Sequence, residues 1–120
     1  ERAMLSFGGA ATRVYLAVGA TDLRKGFDGL YGLVRSRLES DATSGHLFVF
    51  CNAGRRRLKV LYFDGSGLWV CAKRLEKGRF VWPITTRSGT VTLTPAQLSM
   101  LLEGIDWRAP VRSWRPELAG

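Results

Sequence analysis

Between residues 46 and 83 the chain falls into four apolar or alternating runs, separated only by polar turns of three to five residues. Connections that short join antiparallel neighbours, because a parallel crossover needs about a dozen residues or more. The runs are 46–51, 57–63, 68–75 and 79–82. The turns between them are Asn52-Ala53-Gly54-Arg55-Arg56, Asp64-Gly65-Ser66-Gly67 and Glu76-Lys77-Gly78, and Pro83 closes the last run. Turns rich in Gly, Asn and Asp between β-branched and aromatic runs predict a four-strand meander.

The flanking segments supply two helices and two more strands. Residues 13–18 read as a strand stopped by Gly19. Thr21 and Asp22 then stand as N-cap residues before an apolar stripe, Leu23, Phe27, Leu30, Val34 and Leu38, at helical spacing. This predicts a helix over 23–38. Gly26, Gly29 and Gly32 form a second stripe, each costing about 1 kcal/mol against Ala. Residues 39–45 are a polar loop, 85–89 another, and 90–93 a short strand. Thr94-Pro95 is an N-cap followed by proline at the first helical position, and Leu98, Leu101, Leu102 and Ile105 give the apolar face of a second helix. The expected fold is α+β: an antiparallel β-meander sheet of about five or six strands, with both helices packed on a common face. One domain over residues 5–110 is expected, followed by a basic tail, 111–120, that is at most partly ordered. Met4 is a candidate start, with residues 1–3 as an extension.

Charge narrows the function. The 120 residues carry 18 Lys+Arg against 10 Asp+Glu, a net charge of +8. Eight of those cations, Arg55, Arg56, Arg57, Lys59, Lys73, Arg74, Lys77 and Arg79, lie on the meander against two acids, Asp64 and Glu76. Clustered cations interleaved with Tyr62, Trp69 and Phe80 suit a nucleic acid, since they neutralise phosphates and release counterions. The same aromatics read equally as packing residues, and the arginine run as a solvated turn that keeps edge strands apart. Alternation places Arg57 and Lys59 on one sheet face, and lets only one of Lys73 and Arg74 join them. The DNA-binding candidates are Arg55, Arg56, Arg57, Lys59, Lys73, Lys77 and Arg79. Arg24 and Lys25 form a second contact at the helix start.

Other classes find little support. No apolar run reaches the ~18 residues of a membrane span, and nothing reads as a signal peptide. The expectation is a cytoplasmic, nucleoid-associated protein with no membrane partner. Cys51 and Cys71 lack metal-ligand spacing, and His46 is the single imidazole, which argues against a zinc site or a catalytic triad. Asp22, Asp28, Asp64, Glu76, Glu103 and Asp106 are the carboxylates available to a metal-dependent nuclease. Asp22 reads as a cap, Asp64 and Glu76 as turn formers, and Asp28 as a partner for Arg24 four residues earlier. No catalytic residue, metal or cofactor is expected, and His46 reads as structural.

Five separated motifs carry a family resemblance: TDLRKGFDGL at 21–30, SGHLFVF at 44–50, KVLYFDGSGL at 59–68, KRLEKGRFVWP at 73–83 and LLEGIDWR at 101–108. Together they resemble the second-open-reading-frame accessory protein (TnpB) of the insertion sequence sixty-six group of bacterial transposable elements, over residues 5–110. Leu23 stands where that signature has Met, and Tyr62-Phe63 where Trp-Trp or Tyr-Trp is common. The resemblance implies a non-catalytic accessory role in transposition, with DNA cutting left to a separate, larger transposase. It implies as partners the transposase and the element's other accessory protein, while the charge points to DNA, as element ends or non-specific duplex. It carries over no binding residues. The alternative reading is a protein-interaction module that docks the transposase through the glycine stripe and an exposed sheet edge. A nuclease is the third.

Overall fold

The structure, a computed structural model, describes residues 12–85 and 89–108. The N-terminal stretch and the 111–120 tail lie outside them. The sheet has five strands, β1 (Val14–Ala17), β2 (Leu47–Cys51), β3 (Arg57–Phe63), β4 (Leu68–Arg74) and β5 (Thr90–Leu93). Their order across the sheet is β4-β3-β2-β1-β5. Two helices, α1 (Phe27–Ser36) and α2 (Pro95–Leu102), complete an α+β arrangement.

The sheet is mixed rather than wholly antiparallel. β2–β3, β3–β4 and β1–β5 pair antiparallel, whereas β1 and β2 run parallel, with Tyr15 beside Phe48. The connection from β1 to β2 contains α1 and is long enough for a crossover, so the short-turn rule that fixes the meander does not apply to it.

The helices also lie on opposite faces, not on a common one. β2 explains this, because all five of its residues are buried. A strand with no polar side needs a cover on both. Leu30 and Val34 of α1 pack with Phe48, Phe50 and Leu61 on one face. Leu98 and Leu101 of α2 pack with Val14, Leu16, Val49, Leu58 and Val60 on the other. Each such side chain contributes about 1.5–3 kcal/mol when fully buried.

The expected fourth meander strand, 79–82, is not a strand. After the Gly78 turn (φ +75°) the chain crosses the α2 face, where Phe80 and Trp82 are buried in the core. The Trp82 indole N–H donates to the Ala17 and Gly19 carbonyls, both at 3.0 Å. The segment therefore seals a face instead of widening the sheet.

Both helices are shorter than their apolar stripes. α1 starts at Phe27 with Gly26 as an N-cap that makes no side-chain bond. Thr21 and Asp22 are engaged elsewhere. The Thr21 N–H donates to the Cys51 carbonyl at 2.8 Å, and its hydroxyl accepts from Arg37, which also donates to the Val18 carbonyl. Phe27 is consequently 51% exposed. The Thr94 expectation holds: its hydroxyl accepts from the Gln97 N–H, and the Gln97 side chain accepts from the Thr94 N–H, a capping box. α2 stops because Gly104 takes φ +78° and the Ile105 N–H turns back to the Met100 carbonyl at 2.9 Å.

Burial pushes the Cys51 thiol up to about 12. Since the thiolate is the nucleophile, iodoacetamide at pH 8 is expected to leave Cys51 unmodified in the native protein and to label it only after unfolding. Mass spectrometry of the two samples reads this directly. Rapid native labelling of Cys51 would contradict the central place of β2.

Candidate nucleic-acid interface

The placement of the cations begins at a turn that carries none. Asp64 Oδ1 accepts the Ser66 and Gly67 N–H groups at 2.9 and 3.0 Å, and its Oδ2 accepts the Trp69 indole N–H at 2.7 Å. These bonds hold the Asp64 carboxyl well below the usual carboxylate range. The turn pairs Phe63 with Leu68, and so places Arg57 directly opposite Arg74 and Lys59 opposite Ala72. Leu58 and Val60 point into the α2-side core. By alternation Arg57, Lys59 and Arg74 share the α1 face.

A second turn presents Arg57. The Asn52 side-chain oxygen accepts the Arg56 and Arg57 N–H groups, each at 3.2 Å. Arg55 adopts φ +60°, and its carbonyl receives the Phe80 N–H at 2.6 Å. Asn tolerates and directs such turns because its side chain bonds the backbone of the residues after it.

The loop before α1 forms the opposite wall. Asp22 Oδ2 and Arg24 Nη2 stand 2.8 Å apart, so Arg24 pairs with Asp22 and not with Asp28. That contact, with the Arg24 N–H, holds the Asp22 carboxyl below its usual range. Lys59 Nζ donates to the Lys25 carbonyl at 3.2 Å and ties this loop to β3. The stem of Lys25 lies across α1 where Gly29 leaves room; a Cβ at Gly29 would stand 2.8 Å from Lys25 Cβ. This close approach accounts for one glycine of the stripe, while Gly26 and Gly32 face open space.

Three adjoining clefts meet at Arg57. One of 540 Å³ is lined by Leu23, Lys59, Arg74 and Glu76 as well as Arg57. A second of 600 Å³ includes Asp22, Arg24, Asn52 and Gly54. A third of 440 Å³ includes Arg56, Arg74 and Glu76. Arg74 is paired with Glu76 at 3.0 Å, and Arg56 Nη2 donates to the Glu76 carbonyl at 3.1 Å. Among the described residues the Arg57 guanidinium has no carboxylate or carbonyl partner.

The structure thus brings together Arg57, Lys59, Arg56 and Arg24 of the nine candidates, while Lys25 lines none of the three clefts and meets them only through its backbone carbonyl, which accepts from Lys59. Arg55 is half-buried and lines a separate 150 Å³ hollow beside Trp82. Lys73 borders the 540 Å³ cleft, but its ammonium is held on the α2 side, 2.6 Å from the Leu102 carbonyl and 3.6 Å from Glu103. Lys77 and Arg79 are exposed on the turn after β4 and line none of the three clefts. Arg74, outside the nine candidates, lines two of the three clefts. The signal was present: a four-residue turn at 64–67 makes 63 face 68, and counting back sets 57 against 74 and gives both the same face.

The carboxylates remain dispersed. Among the described residues no group of three or more His, Cys, Asp or Glu side chains could hold a metal ion. His46 Nδ1 accepts the Arg13 N–H at 3.0 Å, and its ring meets Tyr15 edge-on, which is a structural role. Among the described residues no helix is long and apolar enough to cross a membrane.

A family model described as IS66 Orf2 like protein matches residues 12–112. Two similar relatives, both from Sinorhizobium fredii (strain NBRC 101917 / NGR234), are uncharacterized proteins. y4hO is 46% identical across 93% of this chain and 96% of its own length. y4jC is 38% identical across 83% of this chain and 88% of its own. No solved structure matches.

Proposed function

We propose, from the premise that this chain belongs to the family of IS66 Orf2-like proteins, that it is a non-catalytic accessory factor in transposition of a bacterial insertion sequence and acts by holding DNA through its phosphates. The observation that carries the second half is the gathering of Arg57, Lys59 and Arg74 on one cleft, with Arg56 and Arg24 on the clefts beside it. Cations that share a concavity lower the cost of bringing several phosphates close, and their bound counterions are released on contact. Backbone contacts of this kind position a protein on DNA without reading its sequence. The family supports the transposition setting; on this reading the partners proposed are the element's DNA, its transposase and its other accessory protein.

The test is fluorescence anisotropy across a salt series, with one duplex carrying the element's terminal repeat and one a shuffled sequence. Four to six phosphate contacts give a slope of log affinity against log salt of roughly −4 to −5. Replacing Arg55, Arg56 and Arg57 together by Gln is expected to weaken binding to both duplexes and flatten the slope, with the melting temperature held. Unchanged affinity in that triple variant would remove the DNA reading.

One observation favours the protein-interaction reading. Phe27, a large apolar side chain, is 51% exposed on the first turn of α1. Co-purification with the transposase in the presence of nuclease, lost in Phe27→Ser, would establish it.

A further inference from the structure

The cleft that joins β3 to the loop before α1 has a charge imbalance that a phosphodiester does not correct. Arg57 and Arg74 are directly opposed across the β3–β4 ladder, and Lys59 lies on the same face two residues along. Like charges directly opposite one another destabilise a sheet. One carboxylate, Glu76, answers these three cations, and it is spent on Arg74. The cleft is thus left with two unmatched positive charges, and Arg57 stands without a partner among the described residues. The ammonium of Lys73 adds nothing to this sum, because Glu103 answers it on the other face.

We propose that this cleft is a seat for a phosphate monoester, a terminal phosphate carried by a DNA end or by a free nucleotide. It rests on the phosphate-binding reading above and names the ligand of that site. A phosphodiester brings one negative charge, whereas a monoester brings about −1.5 to −2 at neutral pH and three acceptor oxygens. The Arg57 guanidinium can offer paired N–H donors to such a group, and the Lys59 ammonium on the same face supplies the second positive charge. The 540 Å³ cleft lies within the ~300–1,000 Å³ of small-ligand sites. Leu23 and Ala72 give it an apolar wall on which the attached sugar or base can rest.

The experiment compares one labelled single-stranded oligonucleotide in 5′-phosphorylated and 5′-hydroxyl forms, by anisotropy with the full chain. Calorimetry with thymidine monophosphate and with thymidine runs in parallel. The 5′-phosphate is expected to tighten binding about tenfold, and Arg57→Gln to abolish the difference. Arg35→Gln, which removes the same charge from the exposed face of α1, is expected to leave it intact; melting curves confirm that both variants fold. Binding of the monophosphate but not the nucleoside, with no preference between the oligonucleotides, would keep the seat and identify a free nucleotide as its ligand. If neither oligonucleotide binds while the monophosphate does, the DNA reading falls and the seat stands. Equal affinity for both oligonucleotides, with no binding of the monophosphate, would overturn the seat and leave the DNA reading in place.

Discussion

Arg57→Glu is expected to lower DNA affinity about 30-fold at moderate salt while leaving the fold as stable as before or slightly more so. Arg57 is exposed and lies opposite Arg74. Its loss to a carboxylate converts a repelling cross-strand pair into an attracting one, worth about 0.2–1 kcal/mol. No core side chain is disturbed, and the Asn52 bond to the backbone of residue 57 is retained. Binding moves the other way. A charge-assisted contact of about 1.5–3 kcal/mol disappears, and a negative group then stands where three clefts meet. The salt slope should become shallower by about 1. Chemical denaturation and a salt-resolved anisotropy series on the same preparation check both halves. A variant that loses stability and affinity together would mean that Arg57 holds the fold rather than the ligand.

Trp82→Ala is expected to cost about 3–5 kcal/mol. Trp82 is 3% exposed and belongs to no strand. Its ring fills the α2-side core, and its N–H satisfies two carbonyls, those of Ala17 and Gly19, at the end of β1. The neighbouring Gly19 N–H donates to the Pro83 carbonyl at 2.9 Å, so the segment and the strand end hold each other. Trp82→Phe keeps most of the packing and orphans the two carbonyls, for a smaller loss of about 1–3 kcal/mol. Urea melts of the two variants separate cavity from hydrogen bond. Near-equal losses would show that packing is not the main contribution.

The same segment shows why the sequence misleads at one point. Residues 79–82 follow a clear turn and have strand composition, yet Phe80 and Trp82 are large enough to serve as a lid over the α2 face. Local pattern registers that the residues are apolar and extended, but not which surface lacks a cover. The unbroken apolar run of β2 demands a cover on both faces, which a common face for the two helices does not provide. In the site, the two turns were plain in the residues, and with them the parity that puts Arg57 and Arg74 together. The position of Lys73 depended on α2, whose last carbonyls lie far along the chain.

Neighbours a few residues apart fix three strands of the meander, the turns that join them and the α2 cap, and composition fixes the surplus of positive charge. The parallel pairing of β1 with β2, the opposite placement of the helices, the fate of residues 79–82 and the meeting of cations in one cleft come from contacts between distant parts of the chain. Burial drives them. A five-residue strand with no polar side must be covered twice, and meeting that demand drew α1, α2 and the Trp82 segment from distant parts of the chain. The basic cleft is formed where the loop leading into one of those covers meets the charged end of the meander.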